Sequence, residues 1–77
     1  METLLRAFVL KLREKNISYT DLDKIRLLID DKADTIPDRI LRNGIKNCTW
    51  KYHHYDMENT CERYHLIGEI YYYIDRL

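Results

Sequence analysis

The side chains of this chain with the plainest chemical potential are its cysteines and histidines: Cys48, His53, His54, Cys61 and His65. Cys61 and His65 are four positions apart, so a helix would point them the same way, as two ligands of one metal must point. Cys48 and His53 (or His54) could complete a tetrahedral zinc set from the preceding segment, and a small domain gains from such a staple. The spacing matches no zinc-finger pattern, however, and contains no Cys-x-x-Cys pair. Cys48 therefore reads first as a small core hydrophobe and the histidines as surface or half-buried aromatics. Cys61 and His65 could also act as a thiolate and its base, since a helix amino terminus near Cys61 would lower its pKa. No third orienting group, glycine-rich loop or oxyanion site accompanies them, and 77 residues leave little volume for a substrate pocket. The expectation is a protein without catalytic residues and without a cofactor. The zinc set Cys48, His53, Cys61 and His65 stands as the alternative.

The charged residues come next. Thirteen basic and thirteen acidic side chains give a net charge of zero, whereas non-specific nucleic-acid binders usually carry a basic excess. Asp23, Asp30, Asp31, Asp34 and Asp38 form an acidic stripe that could steer toward a basic target surface, as in small inhibitors that imitate DNA's phosphates. Lys24, Arg26 and Lys32 are interspersed with it, so a solvated helix face is the plainer reading. Hydrophobic content of 45% beside 34% charge is that of a globular domain. One domain, residues 1–77, with one modest core is expected. No apolar run reaches the roughly 18–20 residues of a membrane span, and no signal-peptide layout opens the chain. A cytoplasmic location is therefore expected. Two cysteines make no disulfide framework. Many Ile, Tyr, Asn, Asp and Lys residues beside few Ala, Gly and Pro hint at an AT-rich genome, such as that of a phage.

These residues have to be positioned by helices. The last third, about Asp56 to Leu77, organises the rest: at 100° per residue Tyr64, Leu66, Ile67, Ile70, Tyr71, Tyr73, Ile74 and Leu77 share one broad arc. Glu58, Glu62, Glu69, Asp75 and Arg76 lie opposite. Asn59 with Glu62 suggests a capping box, which would start this helix near Thr60. A first helix is expected over Glu2 to Lys15, burying Met1, Leu4, Leu5, Phe8, Val9 and Leu12. Ser18 with Asp21, or Thr20 with Asp23, caps a second helix running to about Lys32. Leu22, Ile25, Leu28, Ile29 and Ala33 are its buried stripe. A short third helix, about Pro37 to Asn43, would bury Ile36, Ile40 and Leu41 and end at Gly44. Ile45 to Tyr55 reads as an irregular aromatic connector whose Trp50 and Tyr52 pack on the last helix, with a small β-hairpin as the competing reading. The fold class is all-α: a small four-helix domain with a long C-terminal helix.

The run from Leu12 to Leu22 and the run Thr35-Ile36-Pro37-Asp38-Arg39-Ile40-Leu41-Arg42-Asn43-Gly44 together cover about half the chain. They resemble the opening, the recognition helix and the exit turn of phage-repressor-type helix-turn-helix domains. Asp30-Asp31-Lys32-Ala33-Asp34 stands where that family has a tight glycine turn. The resemblance implies DNA binding, with Thr35, Arg39 and Arg42 facing the groove.

On the last helix Cys61, His65, Gly68 and Tyr72 make a narrow uncharged stripe, and Gly68 would permit close backbone approach. The chain also carries seven tyrosines and one tryptophan, the amphipathic anchors of interface hot spots. The leading expectation is a small non-enzymatic regulator or inhibitor that binds another protein, phage-encoded on the hint of composition and acting on a host target, with a homodimer as a further option. Trp50, Tyr52, His65, Gly68 and Tyr72 would make the contact, and Asp23, Asp30 and Asp34 would steer it. DNA binding through Thr35, Arg39 and Arg42 is the alternative.

Overall fold

The computed structural model describes residues 1–54 and 59–77. It contains α1 (Glu2–Leu12), α2 (Tyr19–Ala33), α3 (Arg39–Trp50), a 3₁₀ turn (Lys51–His53) and α4 (Thr60–Ile74), with no strand among the described residues. The all-α expectation holds. Three helices begin on a side-chain cap that takes up one of the free backbone N–H groups of the first turn. The Ser18 hydroxyl accepts from Asp21 N at 3.3 Å, Asp38 Oδ1 from Leu41 N at 3.0 Å, and Asn59 Oδ1 from Glu62 N at 3.3 Å. Each such cap contributes about 1 kcal/mol. The Ser18 and Asn59 caps are those the sequence predicts, and the second starts α4 at Thr60. An α4 start at Asp56 or Met57, and Tyr55 at the end of the connector, lie outside the described residues.

Each helix packs on two neighbours, α1 on α2 and α4, and α3 on α2 and α4. The shared core is Leu5, Phe8, Val9 and Leu12 of α1, Leu22, Ile29 and Ala33 of α2, Ile45 and Cys48 of α3, and Leu66, Ile67, Ile70 and Ile74 of α4. Tyr52 closes it. Its ring meets Phe8 edge-on, with 5.8 Å between centroids, and its hydroxyl donates to Asp23.

The largest departure from expectation is α3. It does not stop at Asn43 but continues through Gly44 to Trp50, so most of the expected irregular connector is helix. Gly44 has no positive φ and is an ordinary helical residue. Lengthening α3 fixes its buried stripe as Leu41, Ile45, Cys48 and Thr49, at i, i+4, i+7 and i+8. Ile40 falls off that stripe and is 85% exposed rather than buried. Leu28, expected on the buried stripe of α2, lies off it for the same reason of register. The inner face of α2 is Leu22, Ile25, Ile29 and Ala33, and Leu28, one position behind Ile29, lies exposed.

Smaller corrections follow from local bonding. Helix α1 ends at Leu12, short of Lys15, because Arg13 N and Glu14 N close a tightened last turn on Val9 O and Lys11 O. The buried arc of α4 is narrower than the expected one. Leu66, Ile67, Ile70 and Ile74 are buried, Tyr71 and Tyr73 half-buried, and Tyr64 and Leu77 exposed.

Polar groups stitch α2 to α3. Within α2 Arg26 Nη1 donates to Asp30 at 3.2 Å, and from α3 the buried Thr49 hydroxyl, bonded to Lys46 O of its own helix at 3.0 Å, reaches that carboxylate at 3.4 Å. Lys46 Nζ meets Asp34 at 2.6 Å. No described helix is long and apolar enough to cross a membrane.

Candidate protein-binding face

The α3–α4 seam positions the candidate site, and Gly44 makes the seam. A Cβ built there would lie 2.5 Å from Tyr73 Cζ and 2.6 Å from Cε1. The phenol of Tyr73 therefore occupies a notch that only glycine leaves open. Burial, followed by the nearby Cys48 and Glu69, raises the Tyr73 phenol above its ordinary pKa. Farther along the seam Lys51 Nζ holds both carboxylate oxygens of Glu69, at 2.9 and 2.8 Å. His65, one turn before Glu69 on α4, reaches the same carboxylate with Nε2 at 3.0 Å.

Two grooves open on this face, and both are walled by Tyr72 and Tyr73. One, about 440 Å³, is completed by Lys51, His65, Gly68 and Glu69. The other, about 360 Å³, is completed by Asp38, Ile40, Leu41 and Arg76. The two tyrosine rings stand perpendicular, 5.3 Å apart. The Arg76 guanidinium lies 3.3 Å from the centroid of Tyr72 while Nη1 donates to Tyr72 O at 2.8 Å. Tyr72 is thus held from one side by a cation, which favours a single ring position. At Gly68 an added Cβ would meet nothing within 4 Å. Its missing side chain serves no packing inside the chain.

The face therefore gathers three of the residues singled out in the sequence: His65, Gly68 and Tyr72. Trp50 is half-exposed at the end of α3 and stacks on His54, centroids 3.7 Å apart, without lining either groove. Tyr52 is buried in the core, where it meets Phe8 edge-on and bonds Asp23, so it is not a surface contact residue. Extending α3 turns it inward, so it is removed from any contact surface. The steering aspartates are engaged within the fold. Asp23 meets the Tyr52 hydroxyl and lies 3.5 Å from both Arg26 and His53. The Tyr52 hydrogen bond, aided by those two neighbours, holds Asp23 below the usual carboxylate range. Asp30 takes Arg26 and Thr49, and Asp34 takes Lys46.

The cysteine and histidine set is dispersed. Among the described residues no three of His, Cys, Asp and Glu converge as metal ligands. Cys48 Sγ points into the core, 4.0 Å from Leu66 O, and Cys61 is exposed. Burial above all, with Glu69 adding to it, pushes the Cys48 thiol up to about 12, so it is no thiolate at neutral pH. His53 lies against the Tyr52 ring, 4.1 Å between centroids, and His65 is bound to Glu69. Of the helix-turn-helix candidates, Thr35 donates to Lys32 O at 2.6 Å and Arg42 Nη1 to Ile36 O at 3.1 Å. Both brace the α2–α3 corner. Arg39 is exposed in the first turn of α3, one residue after the Asp38 cap.

Ile40, Lys51, Glu69, Tyr73 and Arg76 complete the face and were not among the expected contact residues. A signal for two of them, Ile40 and Lys51, lay in the spacing of Ile40, Gly44, Asn47 and Lys51 at i, i+4, i+7, i+11, a stripe visible only once Gly44 is read as helix interior. No family model, curated protein or solved structure matches this chain.

Proposed function

We propose that this protein is a small non-enzymatic binding protein that engages another protein through its α3–α4 face, as a regulator or inhibitor of that target. The supporting observation is that Tyr72, held by Arg76, lines two grooves, one with the exposed Ile40 and the other with the unfilled Gly68. An apolar anchor beside preformed concavity is the arrangement in which interface energy concentrates. The balanced net charge and the intramolecular engagement of Thr35 and Arg42 favour this reading over DNA binding. A phage origin and a host target fit the composition and are part of the proposal.

The test is affinity capture from a bacterial lysate, with and without nuclease, using the native chain and the Ile40→Asp and Tyr72→Ala variants. A stoichiometric protein that survives nuclease and is lost from both folded variants is the expected result. Capture that disappears with nuclease, or that both variants retain, would overturn it.

A further inference from the structure

Most arginines of this chain meet an acceptor. Arg6 and Arg26 meet carboxylates, and Arg42 and Arg76 meet backbone carbonyls. Of the other three, Arg39 is exposed on α3, while Arg13 and Arg63 come together. They line one cavity of about 340 Å³ between the end of α1 and the start of α4, with Leu12, Ile67, Thr60 and Tyr64 completing its wall. Neither has a carboxylate partner among the described residues. Arg63 is partly buried, and its Nε is shielded from water with no acceptor among the described residues. Among the described residues its bond is a long one, Nη1 to Glu14 O at 3.4 Å. Arg13 is exposed, with its guanidinium 5.9 Å from the Tyr71 ring centroid.

Two like charges sharing a cavity repel, and a desolvated N–H without an acceptor costs free energy. An oxyanion between the guanidiniums relieves both, and their planar forks suit bidentate oxygens. Phosphate matches best: its charge of about −1.5 to −2 at neutral pH balances two arginines, which a single carboxylate does not. Beneath the cations the wall is apolar (Leu12, Ile67) with Tyr64 beside it, so the ligand should carry an aromatic or apolar body as well. We propose that this cavity binds a small phosphate monoester of about nucleoside-monophosphate size, with its phosphate on Arg13 and Arg63 and its body against Leu12, Ile67 and Tyr64. The site is independent of the α3–α4 face.

The test is an ¹⁵N-NMR titration of the full chain with adenosine monophosphate, with adenosine and inorganic phosphate as controls, repeated on Arg13→Ala and Arg63→Gln. Saturable shifts centred on Leu12, Arg13, Thr60 and Ile67 are expected with the monophosphate. Inorganic phosphate should compete, adenosine should have no effect, and each substitution should weaken binding about tenfold or more. Arg13 is exposed, so its variant remains informative even where Arg63→Gln disturbs folding. Equal shifts with adenosine would overturn the proposal. So would an unsaturated response spread over the basic surface, the mark of adventitious ion pairing, or unchanged affinity in Arg13→Ala.

Discussion

Alanine at Gly44 sets two magnitudes of opposite sign against each other. Inside a helix, replacing glycine by alanine ordinarily gains about 1 kcal/mol. Here the new methyl would stand 2.5 Å from Tyr73 Cζ and 2.6 Å from Cε1, whereas carbons in contact sit about 3.5–4.0 Å apart. The ring must retreat by about 1 Å, away from α3, giving up part of its burial and crowding Tyr72. Overpacking of this kind costs about 1–3 kcal/mol. The net expectation for Gly44→Ala is a loss of about 1 kcal/mol, or a fall in Tm of roughly 4–8 °C for a domain of this size. The decisive comparison is the same substitution in a Tyr73→Leu background, where the ring end that fills the notch is gone. There Gly44→Ala should stabilise by about 1 kcal/mol, which makes the coupling between the two sites about 2 kcal/mol. Urea unfolding followed by circular dichroism at 222 nm on the four chains measures the cycle. A gain of equal size in both backgrounds would show that Tyr73 does not occupy the notch and that α3 and α4 are not keyed by it.

Three further outcomes are expected. Gly68→Leu should raise stability by up to about 1 kcal/mol, because it adds helix propensity where there is open space, yet abolish association with the partner; a variant that is more stable and still binds would remove Gly68 from the interface. Burial first of all raises Cys48 from its ordinary 9.0, and Tyr52 from 10.0, to about 12 each, so the folded chain keeps protons that the unfolded chain has released. Their contribution is complete below pH 9.0 and 10.0 respectively and is lost as pH rises toward about 12, with a limiting slope of about 1.4 kcal/mol per pH unit for each group. Urea midpoints should therefore drop above pH 9.0, and Cys48→Ala should flatten that drop before Tyr52 begins to titrate; the same slope in the variant would refute the assignment. Asn59→Ala, which removes the α4 cap, should cost about 1 kcal/mol by thermal melting, and no change would mean that the cap bond carries no net stability.

The sequence by itself determined the fold class, the positions of Ser18 and Asn59 as caps, and most of the core faces of α1 and α4. These rest on local chemistry: a side-chain oxygen two or three residues from a free N–H, and apolar spacing that repeats within a few turns. The candidate site was legible only in part, as the uncharged stripe of His65, Gly68 and Tyr72 on a helix whose opposite face had to be buried. Tertiary structure decided the roles of the two glycines. Local rules read Gly44 as a stop and Gly68 as a place of close approach, but the intrinsic cost of glycine in a helix is about 1 kcal/mol, less than what the packing of one aromatic ring can supply. Tyr73, far along the chain, fills the notch at Gly44, and α3 runs on to Trp50 with Tyr52 inward and Ile40 outward. Gly68 was left over open space. The pairing of Arg13 with Arg63 was equally invisible beforehand, because nothing in the spacing of two arginines on separate helices says that they share a cavity.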